Sequence, residues 1–214
     1  KFEMHGGSIK DNLAGSDYWG AGYSGKYASA TFDNVLIRKN RGCKYGAGFY
    51  QHAGVLNILN SVVEYNGEGT YQGGGIWVRG NPTENITLNI VRSIVRYNSA
   101  SNTAGGLLAY NDAQVTVRES SFIKNDANGN GNEIFIQTYM VAPILQFINV
   151  NFETLENGES FKSYDENSGS YVTFVTQTCV ANPCTVFPFT GRCTNRTGNL
   201  GVLCDYDEEA ICYP

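Results

Sequence analysis

The chain contains few residues of the types that carry enzymatic chemistry, and their spacing fits no complete catalytic or metal site. The two histidines, His5 and His52, have no serine or cysteine placed to complete a catalytic triad. Residues 126–131, DANGNG, match the opening of a calcium-binding loop. Gln137 stands at the twelfth position of that loop, where a bidentate glutamate is required. We expect a corner loop rich in glycine and asparagine there, rather than a metal site.

Polysaccharide cleavage would need acidic residues that the sequence does not supply in a suitable pattern. A glycosidase uses two carboxylates about 5 to 10 Å apart in one groove, and the sequence has no Asp-Asp pair and no Asn-Thr-Asp motif. Arg38, Lys39 and Arg96 are candidate bases for a lyase, but no acidic cluster accompanies them. We therefore predict a protein that is not an enzyme, with no catalytic residues, no metal ligands and no cofactor.

Composition and charge favour one β-rich domain and exclude several classes of partner. The 214 residues include 25 glycines and only 16% charged residues, which suits a chain with many tight turns. The formal net charge is −5, so nucleic acid is not an expected partner. No run of 18 apolar residues occurs, so no membrane span is predicted. The opening residues, KFEMHGG, show no cleavable signal peptide, and we expect a mature or excised product.

An eleven-residue frame that ends on asparagine recurs along the chain. One copy reads LNILNSVVEYN (56–66), and the next reads LNIVRSIVRYN (88–98). Two degenerate copies follow the regular ones, and the first has Leu155 in place of the asparagine. Apolar and polar residues alternate early in each copy, which is typical of a strand with one buried face. The regular copies end on Asn12, Asn40, Asn66, Asn98 and Asn125.

Glycine-rich segments between the copies complete the predicted fold. GAGF (46–49) and GGGI (73–76) supply a third strand in each period. Three short apolar segments in a period of 26 to 32 residues predict a parallel β-helix. The expected fold is therefore all-β, a solenoid of about seven coils over residues 1–182. We expect the five asparagines to adopt the left-handed αL conformation at a corner and to form a structural hydrogen-bonded ladder along the axis. The glycines should open the next corner.

These motifs resemble a known repeat class. FIKN (122–125) is similar to the F-x-x-N motif, and GGGI and GGLL to the G-G-apolar motif, of the polymorphic outer-membrane-protein repeats of bacterial adhesins. The resemblance covers about residues 1–182 and implies a single right-handed, pectin-lyase-like β-helix. It also implies an adhesive or structural role outside the cell, usually without catalysis. Most copies here carry Ile or Val in place of Phe, and the cysteine-rich tail looks more like a secreted algal or protist protein.

Cysteines and glycosylation sequons favour a secreted protein. Five of the six cysteines fall in the last 36 residues, and none forms a C-x-x-C motif. The tail, residues 183–214, is therefore predicted to be a cap held by disulfides. Cys43 pairs with one of the five, pairs with another chain, or stays free. Sequons at Asn85 and Asn195 predict glycans. The cysteines are Cys43, Cys179, Cys184, Cys193, Cys204 and Cys212.

One outward stripe of large side chains is expected on the face formed by the glycine-rich strands. If Phe49 and its equivalents point inward, the residues that follow them point outward. An exposed stripe of this size is unusual on a monomer. Three readings remain open: the tail folds over it, it is a lateral protein interface, or it is a platform for sugar rings. The stripe residues are Tyr50, Trp77, Leu108 and Phe135.

These observations predict a secreted or cell-surface structural protein that assembles with itself. The repeat frame begins at Phe2 with no capping helix before it, so the first coil should accept another subunit head to tail. A filament, a surface appendage or a matrix would result. The alternative is a β-helix protein that binds or cleaves polysaccharide, and carbohydrate is accordingly the second expected partner.

Overall fold

The chain folds as an all-β solenoid of stacked parallel strands, as the repeat predicts. The computed structural model describes residues 1–81, 83–129, 131–138, 141, 143–153, 161–165 and 171–175. These residues make about five turns, so the predicted total of seven coils is not reached within them. The predicted tail at 183–214, Asn195 and five of the six cysteines lie outside the described residues. No helix in the described ranges is long and apolar enough to cross a membrane.

The described strands are short, except for two that run across a corner. In chain order they are β1 (Phe2–His5), β2 (Ser8–Lys10), β3 (Tyr23–Asp33), β4 (Leu36–Arg38), β5 (Phe49–Leu59), β6 (Val62–Glu64), β7 (Ile76–Arg79), β8 (Ile86–Val91), β9 (Ile94–Arg96), β10 (Ser99–Ala100), β11 (Leu107–Tyr110), β12 (Ala113–Arg118), β13 (Ser121–Ile123), β14 (Asp126–Ala127), β15 (Ile134–Thr138), β16 (Ile144–Ile148), β17 (Asn151–Glu153), β18 (Phe161–Asp165) and β19 (Tyr171–Val175).

Equivalent positions of successive copies lie side by side, so the predicted frame sets the register. Leu56 pairs with Ala30 in one neighbouring strand and with Leu88 in the other. On the short strand after the corner, Val63 pairs in the same way with residues of β4 and β9. Because the register is one repeat per coil, each frame position becomes a column parallel to the solenoid axis.

The inward columns form the hydrophobic core. Their side chains are almost fully buried, while the alternate residues of the same strands remain partly exposed. Burial of each such large apolar side chain stabilises the fold by about 1.5–3 kcal/mol. The alternation predicted from the sequence is therefore confirmed. One column runs through Phe32, Ile58, Ile90, Val117 and Phe147.

The asparagine corner departs from the prediction in one respect. The residue before each ladder asparagine has the positive φ angle, and the asparagine does not; Tyr65 lies at 53°. The prediction that the asparagines occupy the αL region is wrong. Their amides are bonded to the coils on both sides, so the preceding residue makes the turn. Those preceding residues are Asp11, Lys39, Tyr65, Tyr97 and Lys124.

The glycine corner requires glycine for two reasons, a positive φ angle and a close approach of two backbones. Gly46 and Gly73 have φ angles of 63° and 65°, a region that side chains disfavour. Gly75 is needed for a different reason, because a Cβ there would lie 2.6 Å from the carbonyl oxygen of Gly106 in the next coil. The column of last glycines therefore brings the backbones of successive coils into close approach.

The longest repeat carries its extra residues in a loop between β7 and β8. Asn81 and Glu84 close this loop with two backbone hydrogen bonds of 3.0 and 3.1 Å. In the preceding coil β5 runs through the equivalent corner without interruption. Asn85 follows the loop and is exposed, so its side chain is open to modification. The extra residues of this repeat therefore bulge from the solenoid, and glycosylation of Asn85 stays a prediction.

Candidate functional site

The asparagine ladder is present as a continuous hydrogen-bonded column. Nδ2 of Asn40 donates to Oδ1 of Asn66 at 2.9 Å, and Nδ2 of Asn66 donates to Oδ1 of Asn98 at 2.9 Å. Each acceptor oxygen also receives a backbone N–H from the coil before, and Asn66 Nδ2 also donates to the Ile37 carbonyl at 3.0 Å. The amides of the inner rungs are thus fully used within the fold. The column consists of Asn12, Asn40, Asn66, Asn98 and Asn125.

The last rung bonds a carboxylate instead of another amide. The backbone N–H of Asn125 donates to Oε1 of Glu133 at 3.2 Å, and Nδ2 of Asn125 donates to Oε2. Glu133 stands where the earlier coils have their last glycine, and a Cβ on Gly106 would already lie 3.2 Å from Asn125 Nδ2. A side chain at that position therefore reaches the ladder. Since the frame has Leu155 where the next asparagine is expected, Glu133 supplies the acceptor oxygens that leucine lacks.

Glu133 is fully buried, and this sets its ionisation. Burial raises the pKa of its carboxyl to about 8, against the opposing effect of the hydrogen bonds from Asn125. At neutral pH the protonated form is therefore favoured. The group closes a structural column and has no access to solvent, so it belongs to the fold rather than to a binding surface.

The outward stripe is assembled as predicted, but it is not exposed. Tyr50, Trp77, Leu108 and Phe135 are neighbours in register along β5, β7, β11 and β15. All four are buried, and the side chain of Trp77 is only 5% exposed. The stripe is therefore covered, and the choice between the tail, a protein interface and a sugar platform stays a prediction. A ligand or partner on this face would therefore mainly contact the residues that surround the stripe.

The chain's own corner residues pack over the stripe and form its walls. A second column, in register from coil to coil, lies directly before the first residue of each glycine corner. In this column the Trp19 ring lies 5.1 Å from Tyr50, and the Tyr45 ring lies 5.3 Å from Trp77. Ala104 packs against the same cluster. The full column is Trp19, Tyr45, Gln72 and Thr103.

A cleft of about 290 Å³ remains between these walls. Its floor is formed by Tyr50 and Trp77, whose rings stack at 5.0 Å with an angle of 12° between their planes. The far side is formed by the next outward column, in which Arg79 and Tyr110 are adjacent in register. Three columns of side chains thus converge on one concavity. It is lined by Trp19, Tyr45, Tyr50, Tyr71, Gln72, Trp77, Arg79, Tyr110 and Gln137.

Two N–H groups in this cleft lack a hydrogen-bond partner. Nε1 of Trp77 and Nε of Arg79 are buried and unpaired. A buried donor without a partner costs about 1–3 kcal/mol, so such groups are rare unless they serve a ligand or water. Burial also raises the pKa of Tyr50 to about 12, which keeps its phenol neutral and able to donate. The residues of the floor and side of the cleft therefore contain two hydrogen-bond donors that the fold itself does not use; both are covered, so a ligand reaches them only when neighbouring side chains shift.

His52 lies beside the cleft and belongs to a separate polar cluster. It pairs in register with Arg79, and its Nε2 lies 3.6 Å from a carboxylate oxygen of Glu84. Tyr27 and Asn81 donate hydrogen bonds to that carboxylate. Burial, followed by the charge of Arg79, lowers the pKa of His52 and favours the neutral imidazole. The other histidine is His5 on β1, whose Nδ1 lies 3.7 Å from Oδ2 of Asp33. His5 is not among the residues that line the cleft.

The remaining sequence candidates are placed elsewhere. Arg38 and Arg96 both form ion pairs with Glu64, with N···O distances of 3.4 and 2.7 Å, so these two candidate bases share one carboxylate. Lys39 is exposed at the asparagine corner. Cys43 is buried and has no disulfide partner among the described residues; its Sγ lies 3.4 Å from the Tyr45 carbonyl oxygen. Within the described ranges, no group of three acidic, cysteine or histidine side chains is placed to hold a metal ion.

The sequence predicted the floor of the cleft and missed its walls. Trp19, Tyr45 and Gln72 each directly precede the first glycine of a corner, a recurrent position that contains two aromatic residues. Arg79 and Tyr110 stand two residues after the stripe, on the same side of their strands. Both sets of residues can be found in the sequence when the polar and aromatic positions of the repeat copies are aligned as well as the apolar ones.

Comparisons with family models, with curated proteins and with solved structures each give no match. The likeness to the outer-membrane-protein repeats therefore rests on the short motifs alone. The function of the cleft has to be argued from its own residues.

Proposed function

We propose that this protein is a non-enzymatic, extracellular adhesive β-solenoid that binds carbohydrate in the aromatic cleft. The observation that carries the proposal is the pair of unpaired N–H groups on Trp77 and Arg79, set among aromatic rings. A sugar ring has hydroxyl oxygens that accept such hydrogen bonds and apolar C–H faces that pack on aromatic rings. Concave sites with many apolar walls and a few placed polar groups are the usual form of small-ligand sites.

The rim of the cleft supplies the rings on which a sugar would pack. The floor rings stack on each other, but Trp19 and Tyr71 stand at the rim, and Tyr71 is 48% exposed. Tyr and Trp combine an apolar face with a polar edge, which suits a ligand that has both kinds of surface. The volume of about 290 Å³ is at the lower end of the range for ligand pockets. One or two sugar units of a longer chain are therefore the expected occupants.

Binding is proposed rather than cleavage because of the chemistry of the lining. The lining of the cleft within the described residues consists of aromatic, amide and guanidinium groups. Glycoside hydrolysis is carried out by a pair of carboxylates that face each other across the bond. A surface that holds a sugar without breaking it suits an adhesive role.

The proposal is tested by substitution of a rim aromatic with a matched control on another face. Tyr71→Ala should weaken binding of oligosaccharides from a glycan array by about 10-fold or more, measured by titration calorimetry. Tyr65 is 46% exposed and lies at the asparagine corner, so Tyr65→Ala removes a similar ring outside the cleft. The control should bind as the unaltered protein does. Equal losses in both variants, or no glycan binding by the unaltered protein, would contradict the proposal.

The finer architecture is part of the same proposal. We expect the solenoid to continue to seven right-handed coils through residue 182 and to be closed by a cap at 183–214 that is held by disulfides. The exposed position of Asn85 supports a glycan there and hence a secreted protein or one at the cell surface. Peptide mapping of native material without reduction should find disulfides among the tail cysteines and a glycan on Asn85. Six free thiols would contradict the secreted location.

Self-assembly is a second candidate function, favoured by the first strands. β1 and β2 pair on one side only within the described residues, and the ring of Phe2 is 45% exposed beside Phe32. A strand edge of this kind offers backbone hydrogen bonds to whatever strand lies beside it, which in this proposal belongs to a second copy. Phe2→Lys should then lower the sedimentation coefficient of concentrated protein, while Tyr65→Lys, at an exposed position of an inner coil, should not. A protein that remains monomeric at high concentration before any substitution would rule out this candidate.

A further inference from the structure

The cleft contains a positive charge that the fold does not neutralise. In the described part of the chain, no carboxylate oxygen lies within 4.0 Å of the Arg79 guanidinium. Arg38 and Arg96, near the asparagine corner, differ in that each has a carboxylate oxygen of Glu64 within 4.0 Å. An arginine remains protonated under all ordinary conditions. A partly buried cation without a counter-charge lowers stability unless an anion joins it.

Among the described residues, the groups around Arg79 do not pair with its charge. The guanidinium carbon lies 5.3 Å from the centre of the Tyr110 ring, which holds the side chain in place. The neighbouring His52 favours its neutral form, and the nearby Glu84 is engaged by Tyr27 and Asn81. Lys44 adds a second positive charge at the wall, with its Nζ 5.4 Å from the ring of Tyr45. The protein as a whole is acidic, so the positive character of this region is local.

We infer that the cleft selects an acidic saccharide, in which an anionic group on the sugar accepts hydrogen bonds from Nε of Arg79 and Nε1 of Trp77. This inference rests on the proposed carbohydrate-binding function and adds the chemical class of the ligand. The free Nε marks the side edge of the guanidinium, which matches two oxygens of one anion. A carboxylate of a uronic acid and a sulfate ester both supply such a pair.

The test compares three trisaccharides of galactose that differ in charge: the neutral sugar, the trigalacturonate and a sulfated form. Titration calorimetry at low salt should show one of the two acidic sugars binding at least about 10-fold more tightly than the neutral sugar. Arg79→Gln should remove this difference, so that the acidic and the neutral sugars bind it with equal affinity. Arg79→Lys should restore part of it, because charge returns without the paired geometry. Arg118→Gln, an exposed site on β12, is the matched control and should change nothing.

The salt dependence separates an ionic contact from a shape effect. Affinity of the unaltered protein for the acidic sugar should fall as salt rises, and the affinity of Arg79→Gln should not. Thermal melting of each variant establishes that the fold is retained. Equal affinity for acidic and neutral sugars, unchanged in Arg79→Gln, would overturn this inference and leave the proposed function standing. If none of the three sugars binds and no glycan on an array does, the inference and the proposed function both fail.

Discussion

The asparagine corner and the aromatic cleft are built by the same repeat, yet they use polar groups in opposite ways. In the corner, Asn66 receives two hydrogen bonds at its Oδ1 and donates two from its Nδ2. In the cleft, Trp77 and Arg79 each keep an unpaired N–H. A column of identical residues can satisfy itself because an amide is both donor and acceptor. In the cleft, the neighbouring columns of unlike residues leave these two donors unused, and a ligand can engage them.

The largest expected effect comes from breaking the corner at its centre. Asn66→Ala removes the acceptor for both the side chain and the backbone N–H of Asn40, and these groups are buried. Each unsatisfied buried donor costs about 1–3 kcal/mol, so the free energy of unfolding should fall by about 2–5 kcal/mol. Urea denaturation followed by circular dichroism measures the change. If the free energy of unfolding falls by less than it does when an exposed asparagine is replaced by alanine, the ladder contributes little to stability.

The next effect concerns the carboxyl that ends the ladder. The pKa of Glu133 is raised by burial from 4.5 to about 8, so the folded state binds the proton more strongly than the unfolded state does. Stability should therefore fall as the pH rises from about 4.5 to 8, with a slope of up to about 1.4 kcal/mol per pH unit. Glu133→Gln has no proton to lose, and its stability should be less dependent on pH. Parallel pH profiles for the two proteins would contradict this assignment.

A smaller effect is expected when a polar group is removed from the cleft. Trp77→Phe deletes the unpaired N–H and keeps an aromatic ring beside Tyr50. Relief of an unsatisfied donor offsets the smaller packing area, so the free energy of unfolding should change by less than about 1 kcal/mol. Saccharide affinity should nevertheless fall by about 10-fold. Calorimetry with urea denaturation on the same preparations tests both parts, and a large loss of stability would show that the indole has a structural role.

The smallest effect separates ladder geometry from burial. Asn57 belongs to the same repeat copy as Asn66, and it accepts a hydrogen bond of 2.8 Å from Asn89 while donating to Thr31 at 3.1 Å. This column is partly exposed, so water can replace the lost bonds. Asn57→Ala should cost less than about 1 kcal/mol in urea denaturation. If Asn57→Ala costs as much stability as Asn66→Ala, the hydrogen bonds between stacked residues set the size of the effect, and burial does not.

The sequence predicted most of the fold because the fold is periodic. Columns such as Leu56–Leu88 and Val63–Val95 follow from one recurring frame, and a fixed register turns that frame into structure. Glu133 could not be predicted in the same way. It stands in a glycine position of the repeat, yet it accepts the hydrogen bonds of Asn125 that the asparagine expected at position 155 would accept. The sequence alone does not show that the glycine column and the asparagine column lie in contact.

The candidate site was predicted only in part, for a related reason. The stripe residue Trp77 follows from strand alternation, but its burial depends on corner residues such as Tyr45 that belong to no apolar pattern. Arg79 appeared in the sequence as one charged residue among many. Its lack of a counter-charge depends on which residues the neighbouring coils bring beside it, and spacing along one chain does not show this.

The most direct measurement is a crystal structure of the protein with an acidic trisaccharide. We expect a sugar ring between Trp19 and Tyr71, with ligand oxygens about 2.7–3.2 Å from Nε1 of Trp77 and from Nε of Arg79. A saccharide bound on another face, or a cleft in which these two N–H groups are already bonded to the protein's own residues, would contradict it.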